Sequence, residues 1–282
     1  MLCTNLSQMR RAAAEGYAIP AINTQGGNYD IIMAICEAAE EMRSPVILAH
    51  YVATGAYSGH DWFVQVAKWC AGKVSVPVSI HLDHGDGFPI CMEALRLGFT
   101  SLMIDGSTKP VRENAALTEK VVEVARCFGV PVEAEIGELQ RLENGVVQEN
   151  KNLADPDEVR EFLSLCHPDT LAIGIGNAHG FYKGKPDIHL DILERVRSFC
   201  DLPLVLHGCT GMEDSVVRDA IQLGVAKINF GTEIRWKYIE HLTEGLQTDH
   251  QGHSWKVSQF AERALKEDVK RIIRLSGSEG KA

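Results

Sequence analysis

The sequence lacks the features that mark secreted and membrane-spanning proteins. None of its eight cysteines belongs to a C-x-x-C pair, and most lie among apolar neighbours. We therefore expect free thiols and a reducing, cytoplasmic compartment. The segment MLCTNLSQMRRAAAEG has no apolar core behind its charges, which argues against a signal peptide and favours a first helix. No run approaches the roughly 20 apolar residues of a membrane span.

The chain also lacks an excess of basic residues. Its 28 Lys and Arg residues stand against 38 Asp and Glu residues, which gives a formal net charge of -10. Nucleic acids and anionic membrane surfaces both require a basic face, so we expect neither as a partner. An anionic small substrate needs only a local positive site and is not excluded.

No linker, low-complexity tract or break in composition divides the 282 residues, so we expect one domain over residues 1–282. Short apolar runs alternate with amphipathic segments, a pattern typical of parallel strands that are covered on both faces. We predict strands at residues 18–23, 46–50, 78–82, 101–105, 132–136, 171–176, 204–207 and 227–230. This order predicts an α/β fold, a single (β/α)₈ TIM barrel with an N-terminal helix and a long C-terminal helical extension. A doubly wound open sheet is the alternative.

Polar residues stand at the C-terminal end of every predicted strand, where the active site of such a barrel lies. Acidic groups buried there require a cation or hydrogen bonds. His84, His179 and His207 come from three different strands and suit a catalytic divalent metal, preferably zinc. Taken singly, each histidine would more often be a hydrogen-bonded structural residue. The other polar residues that we single out at strand ends are Asn23, His50, Tyr51, Asp83, Asp105, Ser107, Glu133 and Glu135.

Glycines after the last three strands indicate an anion site. Their small size lets backbone N–H groups face outward, and nearby Thr and Asn side chains add donors. Loops after the seventh and eighth strands commonly bind phosphate, and a following helix N-terminus favours an anion. A simple turn-forming role is the alternative for the glycines. The residues concerned are Gly180, Gly208, Thr210, Gly211, Asn229, Gly231 and Thr232.

Together these motifs resemble the class II, metal-dependent ketose-phosphate aldolases, the group that contains fructose-bisphosphate and tagatose-bisphosphate aldolases. The likeness runs from about Tyr17 to the C-terminus. It implies reversible cleavage of a ketose 1-phosphate to dihydroxyacetone phosphate and an aldehyde through a metal-stabilised enediolate. The matching stretches are YAIPAIN, RSPVIL, HLDHG, SLMIDGS, VEAEIG, GIGNAHGFY, PLVLHG and AKINFGTE.

The resemblance implies that several of these polar residues hold or surround a metal ion. His84, His179 and His207 would hold Zn²⁺. Asp105 would orient a ligand, and Glu135 would offer an alternative metal position.

Proton transfer is assigned by the same resemblance. Asp83 would exchange a proton with the substrate oxygen at the bond being cleaved. A glutamate in the loop after the fifth strand would protonate the enediolate; Glu143 is the first candidate, and Glu138 and Glu149 are the alternatives.

The substrate phosphate would be bound by Gly180, Lys183, Gly208, Thr210, Asn229 and Thr232, often with Na⁺ or K⁺ beside it. The family habit predicts a homodimer or homotetramer.

Some positions depart from the family pattern. His50 and Tyr51 stand where small residues are usual, and we expect their bulk to reshape one end of the pocket. We therefore do not expect fructose 1,6-bisphosphate to be the best substrate. The resemblance implies that a basic residue of a neighbouring subunit, near the chain end, contacts the distal phosphate; Lys281 is a candidate, and Arg235 is another basic residue near the mouth of the pocket. A non-catalytic, chaperone-like subunit of a tagatose-bisphosphate aldolase assembly is the alternative function.

Overall fold

A computed structural model describes residues 1–138, 140–141, 153–182, 185–248 and 253–282. Eight parallel strands form a closed barrel in which each strand pairs with its sequence neighbours and the last pairs with the first. This confirms the predicted barrel and excludes the open sheet. The strands are β1 (Ile19–Asn23), β2 (Val46–Tyr51), β3 (Val78–Gly85), β4 (Ser101–Ile104), β5 (Val132–Ile136), β6 (Thr170–Ile173), β7 (Leu204–Leu206) and β8 (Val225–Phe230).

Helices surround the barrel and extend beyond it. The predicted N-terminal helix and long C-terminal helix are both present, as α1 and α11, and α11 packs on α2 and α10. A 3₁₀ turn spans Val52–Thr54, and a short parallel pair joins Gln140–Arg141 to Ala178–His179. The helices are α1 (Leu6–Glu15), α2 (Tyr29–Met42), α3 (Gly55–Ser58), α4 (His60–Ala71), α5 (Phe88–Leu97), α6 (Val111–Cys127), α7 (Pro156–Leu165), α8 (Leu190–Arg197), α9 (Asp214–Gln222), α10 (Thr232–Gln247) and α11 (Ser254–Ser276).

The barrel interior is apolar at one end and polar at the other. At the N-terminal ends of the strands, Met9 and Ala12 of α1 pack against Ile19 and Ile47 in one buried cluster. Because this end is closed by apolar packing, the ionisable side chains inside the barrel are concentrated towards the C-terminal ends. The polar end is therefore the one open to a ligand.

Two expectations from composition are consistent with the structure. All eight cysteines are free thiols. In the part of the chain that the structure describes, no helix has both the length and the apolar character needed to cross a membrane.

His50 lies on the outer face of β2, between the strand and the surrounding helices. Its ring stacks on Phe63 at a centroid distance of 4.3 Å, and its Nε2 lies 3.0 Å from Nδ1 of His60. The side chain is fully buried. Burial, and to a smaller extent the neighbouring His60, lowers the pKa of His50 to about 3. His50 is thus a neutral side chain that packs between β2 and α4.

This burial predicts a pH dependence of stability. The unfolded chain protonates His50 near its ordinary pKa of 6.5, whereas the folded protein does so only near 3. Between these values the unfolded state holds the extra proton, so the free energy of unfolding falls by about 1.4 kcal/mol per pH unit as pH decreases. We expect His50→Phe to remove this part of the slope in urea titrations of the metal-free protein. His253→Gln, at an exposed position, is the control; identical slopes for His50→Phe and wild type would contradict the prediction.

Candidate active site

A cavity of about 360 Å³ opens at the C-terminal ends of the strands. Most of the predicted site residues line it, and they arrive there from at least five different strands and the loops that follow them. The lining residues are Ala21, Asn23, Gln25, Ala49, Tyr51, Thr54, Asp83, His84, His179, Gly180, Gly208, Thr210, Asn229, Phe230, Gly231, Thr232 and Arg235.

Three imidazoles converge at this cavity: His84 and His179 line it, and His207 lies against them. His84, His179 and His207 each offer a ring nitrogen, and these atoms lie within 4.8 Å of one another. The Nε2 atom of His84 is buried and has no hydrogen-bond partner among the described residues. A buried nitrogen of this kind is costly unless a ligand is bound to it. The donor set therefore fits a divalent cation such as zinc, with a coordination position left for a substrate.

A bulge in β3 brings Asp83 and His84 to the same cavity. Adjacent residues of a regular strand point to opposite faces. Here the register with β4 shifts between Leu82 and Gly85, and the backbone of His84 has a φ of +52°. Such a conformation is unfavourable for a residue with a side chain, so the surrounding structure must enforce it. The result is a carboxylate and an imidazole side by side.

Asp105 orients His84. His84 Nδ1 lies 2.8 Å from Asp105 Oδ2, and Asp105 Oδ1 accepts hydrogen bonds from the backbone and hydroxyl of Ser107. This arrangement turns Nε2 of His84 towards the other two histidines, as in carboxylate–histidine–metal triads. Burial opposes the charged form of both groups, but Asp83 and the bond to Asp105 raise the pKa of His84 to about 9. Burial also acts to raise the pKa of Asp105, but the hydrogen bond and charge of His84, together with the hydrogen bonds from Ser107, hold it well below its ordinary value.

Glu135 completes a second, more acidic group beside the histidines. One ligand atom each from His84, Asp105 and Glu135 lies within 4.8 Å of the others. Glu135 Oε2 is 3.9 Å from His84 Nδ1. Carboxylate oxygens so close to an imidazole allow a cation to occupy a second position within the same site.

His207 is held as a neutral imidazole. Its Nε2 donates to Glu133 Oε1 at 2.8 Å, and its Nδ1 lies 3.0 Å from Asn229 Nδ2. Burial lowers the pKa of His207 well below its ordinary value, and the charge of Lys227 acts in the same direction. Neutral imidazole is the form that binds a metal.

Asp83 is a buried carboxylate that faces the cavity. Its Oδ1 lies 3.3 Å from Asn229 Nδ2 and 4.0 Å from His207 Nδ1. Burial acts to raise the pKa of Asp83, but the neighbouring cationic groups, His84 first and Lys227 among them, together outweigh burial and lower it. The group is therefore in its basic form at neutral pH and can accept a proton.

The glycine-rich side of the cavity is built for close backbone approach. Gly208 has a φ of +65°, and a Cβ atom placed there would lie 2.4 Å from the carbonyl oxygen of Ala178. The hydroxyl of Tyr182 accepts a hydrogen bond from Ala178 N at 2.8 Å and lies 3.3 Å from the carbonyl oxygen of Gly208. Thr210 Oγ1 accepts from the backbone N–H of Glu233 at the start of α10. These contacts fix two loops and a helix N-terminus around one end of the cavity.

A family model for the class II fructose-bisphosphate aldolases matches residues 4–281. The chain belongs to this family. It is therefore a class II aldolase, a carbon–carbon lyase that acts on phosphorylated sugars. Zinc dependence is a general property of the class, and the three converging imidazoles of this aldolase are consistent with it.

Sequence similarity to known aldolases extends over the full length of the chain. The aldolase is 38% identical to a fructose-bisphosphate aldolase of Thermus caldophilus, with both chains covered completely. It is 34% identical to the D-tagatose-1,6-bisphosphate aldolase subunit GatY of Klebsiella oxytoca, with 99% of each chain covered. The crystal structure of the YdjI aldolase from Escherichia coli K12 superposes with a TM-score of 0.88 at 32% identity and covers 100% of both chains.

Some of the predicted site residues do not line the cavity of the aldolase. His50 packs outside the barrel, so only Tyr51 of that pair lines the cavity. Ser107 binds Asp105 and is not among the lining residues. Lys281 pairs with Glu15 at the closed, N-terminal end of the barrel. Three further predicted residues lie outside the described part of the chain: Glu143, Glu149 and Lys183.

Sequence reasoning missed Lys227, although a signal was available. This lysine stands in the middle of the apolar strand VAKINF and is fully buried in the aldolase. Lysine is almost never fully buried unless it is paired. A lysine inside a predicted buried strand therefore points to a buried acidic partner, which is Glu133 at 2.8 Å.

Proposed function

We propose that the protein is a zinc-dependent aldolase that reversibly cleaves a ketose 1-phosphate to dihydroxyacetone phosphate and an aldehyde. The observation that carries this proposal is the convergence of His84, His179 and His207 beside the buried carboxylate Asp83. Family membership establishes the aldolase chemistry. The metal, the three-carbon product and the roles of the residues are the proposed part.

Asp83 is proposed as the base for cleavage. In its ionised form it takes the proton from the hydroxyl group on the carbon that becomes the aldehyde, and it returns this proton in the condensation direction. Asn229 orients the carboxylate through its contact of 3.3 Å with Oδ1. When bound by the three histidines, zinc would act as a Lewis acid towards the negative charge that develops on the carbonyl half of the substrate.

A glutamate after β5 is proposed to protonate the carbonyl half. Glu143 is the first candidate, with Glu138 and Glu149 as alternatives. Of these, only Glu138 lies within the described residues, directly after β5 and half-buried. Asp105 is proposed to orient His84, and Glu135 to offer the second metal position.

The substrate phosphate is proposed to lie at the glycine-rich end of the cavity. Gly180, Gly208 and Gly231 present backbone there, and Thr210, Thr232 and Asn229 add side-chain donors. The N-terminus of α10 favours an anion at the same place. Na⁺ or K⁺ beside the phosphate, a homodimer or homotetramer, a single domain over residues 1–282 and a cytoplasmic location complete the proposal; the resemblance and the composition support these.

Arg235 points to an anionic group at the far end of the substrate. It lines the cavity in the first turn of α10, where a positive charge opposes the helix dipole. No carboxylate among the described residues pairs with it, in a protein of net charge -10. A phosphate or carboxylate on the substrate would supply the missing partner.

We expect Arg235→Gln to raise KM about tenfold for ketose 1-phosphates with an anionic distal group, because one charge-assisted hydrogen bond is lost. The KM for substrates with a neutral distal group is expected to stay unchanged. Lys237→Gln is the matched control, since Lys237 lies two residues further along α10 and pairs with Glu240. Equal KM changes for charged and neutral substrates would refute this role of Arg235. Steady-state kinetics on paired substrates measures both.

The proposed activity is tested by incubating the zinc-loaded protein with a panel of ketose 1-phosphates and assaying dihydroxyacetone phosphate. We expect release from one or more members, with the best substrate carrying an anionic distal group. Absence of release from every member, in protein shown to hold zinc, would refute the proposal. The alternative of a chaperone-like, non-catalytic subunit finds no support, because the chain keeps Asp83 and a group of three histidines that lie close together beside it.

A further inference from the structure

A buried ion pair lies inside the barrel, beneath the cavity. Lys227 of β8 and Glu133 of β5 are both fully buried, and Lys227 Nζ lies 2.8 Å and 3.0 Å from the two carboxylate oxygens. Desolvation makes such a pair a poor source of stability, and apolar residues of similar volume often replace it without loss. Stability alone therefore does not explain its presence.

The ion pair is joined to the candidate metal site through His207. Glu133 Oε1 accepts a hydrogen bond of 2.8 Å from His207 Nε2. A neutral imidazole carries one N–H, so this bond assigns the hydrogen to Nε2 and leaves the lone pair on Nδ1. The Nδ1 atom lies 3.0 Å from Asn229 Nδ2 and 4.0 Å from Asp83 Oδ1, and both Asn229 and Asp83 line the cavity.

We propose that Glu133 and Lys227 are positioning residues that fix the tautomer and orientation of His207 for metal binding. Lys227 holds both oxygens of Glu133, and Glu133 in turn holds the ring of His207. This inference rests on the proposed metal site and adds two residues to it that touch neither metal nor substrate.

Ser101, which contacts Lys227 only through His81, supplies a matched control. His81 Nε2 lies 3.3 Å from Lys227 Nζ, and its Nδ1 lies 2.8 Å from Ser101 Oγ. Ser101→Ala removes a buried hydrogen bond from the same cluster without touching Glu133 or His207. It therefore reports on general destabilisation of the barrel interior.

The test compares wild type, Ser101→Ala and the double variant Glu133→Leu/Lys227→Met, which removes the acceptor for His207 Nε2. The double variant removes both charges together, so that neither is left buried and unpaired. We expect its dissociation constant for zinc to rise about 10- to 100-fold, the range found when outer partners of metal-ligating histidines are lost. The ligand-field spectrum of its cobalt-substituted form is expected to shift. Ser101→Ala is expected to match wild type in both measurements.

Several results would overturn the inference. One is a double variant that binds zinc as tightly as wild type and has the wild-type cobalt spectrum. Another is an equal loss of affinity in Ser101→Ala. Wild-type protein that binds neither zinc nor cobalt would refute the proposed metal site and this inference together, whereas loss in the variants alone bears only on positioning.

A second measurement uses only the wild-type protein, so it does not depend on whether a variant folds. Nitrogen-15 NMR of histidine side chains reports which ring nitrogen carries the hydrogen. In the metal-free wild type, we expect hydrogen on Nε2 of His207, as its bond to Glu133 Oε1 requires. Hydrogen on Nδ1 with none on Nε2 would refute the role of Glu133.

Discussion

Replacement of Asp83 by asparagine is expected to lower kcat by about 10²- to 10⁴-fold, the usual contribution of general acid–base catalysis. Asparagine keeps the shape of the side chain and its contact with Asn229, but it cannot accept the substrate proton. Because Asp83 is not one of the three imidazole ligands, the affinity for zinc should stay within about tenfold of wild type. Steady-state kinetics and a zinc titration on the same preparation measure the two effects separately.

Asp86→Asn provides the control for this prediction. Asp86 is exposed and lies three residues beyond Asp83, outside the cavity lining. Its kcat should equal that of wild type. An Asp83→Asn variant that turns over at the wild-type rate would show that another group takes the proton, and one that has lost its metal would show that Asp83 acts by holding the site together.

The barrel and the histidine cluster were predictable because they depend on simple periodicities. Near-continuous apolar runs separated by amphipathic segments predict parallel strands, and parallel strands place their C-terminal residues at one end of a barrel. His84 follows the third apolar run, His179 follows the sixth, and His207 ends the seventh. Their position at one end of the barrel follows from the fold, whereas their convergence within 4.8 Å also depends on how each side chain is turned.

The placement of adjacent residues was not predictable from the same rule. His50 and Tyr51 follow the normal alternation of a strand, so one faces the helices and the other the cavity. Asp83 and His84 break this alternation, because the bulge in β3 turns both towards the cavity. A bulge depends on the register with the neighbouring strand, and the local sequence does not encode that register.

Pairings between distant strands were also beyond the sequence. Lys281, a candidate for contact with the phosphate of a neighbouring subunit's substrate, pairs within its own chain with Glu15 at the N-terminal end of the barrel. Glu133 shares a strand face with Glu135, yet it lies deeper and pairs with Lys227 instead of the cavity. Depth along a barrel axis follows from the stagger of all eight strands together, which no single stretch determines.

Removal of the metal is the second change for which we expect a large effect. A Lewis acid at the three histidines contributes several kcal/mol to charge stabilisation, so dialysis against a chelator should lower kcat by about 10³-fold or more. One equivalent of Zn²⁺ per chain should restore the activity. The chain has eight cysteines, so the chelated protein must be kept reduced to prevent thiol oxidation from mimicking metal loss.

His179→Ala supplies the independent arm of this experiment. It removes one of the three imidazoles at the cavity, and we expect activity to fall as far as in the chelated wild type, with no recovery at one equivalent of Zn²⁺. His167→Ala is the control, because His167 is an exposed residue that pairs with Glu119 on the outside of the barrel. Full activity in protein shown by elemental analysis to hold no metal would refute the zinc-dependent mechanism. Catalysis would then have to come from Asp83 and the hydrogen-bond donors of the cavity alone.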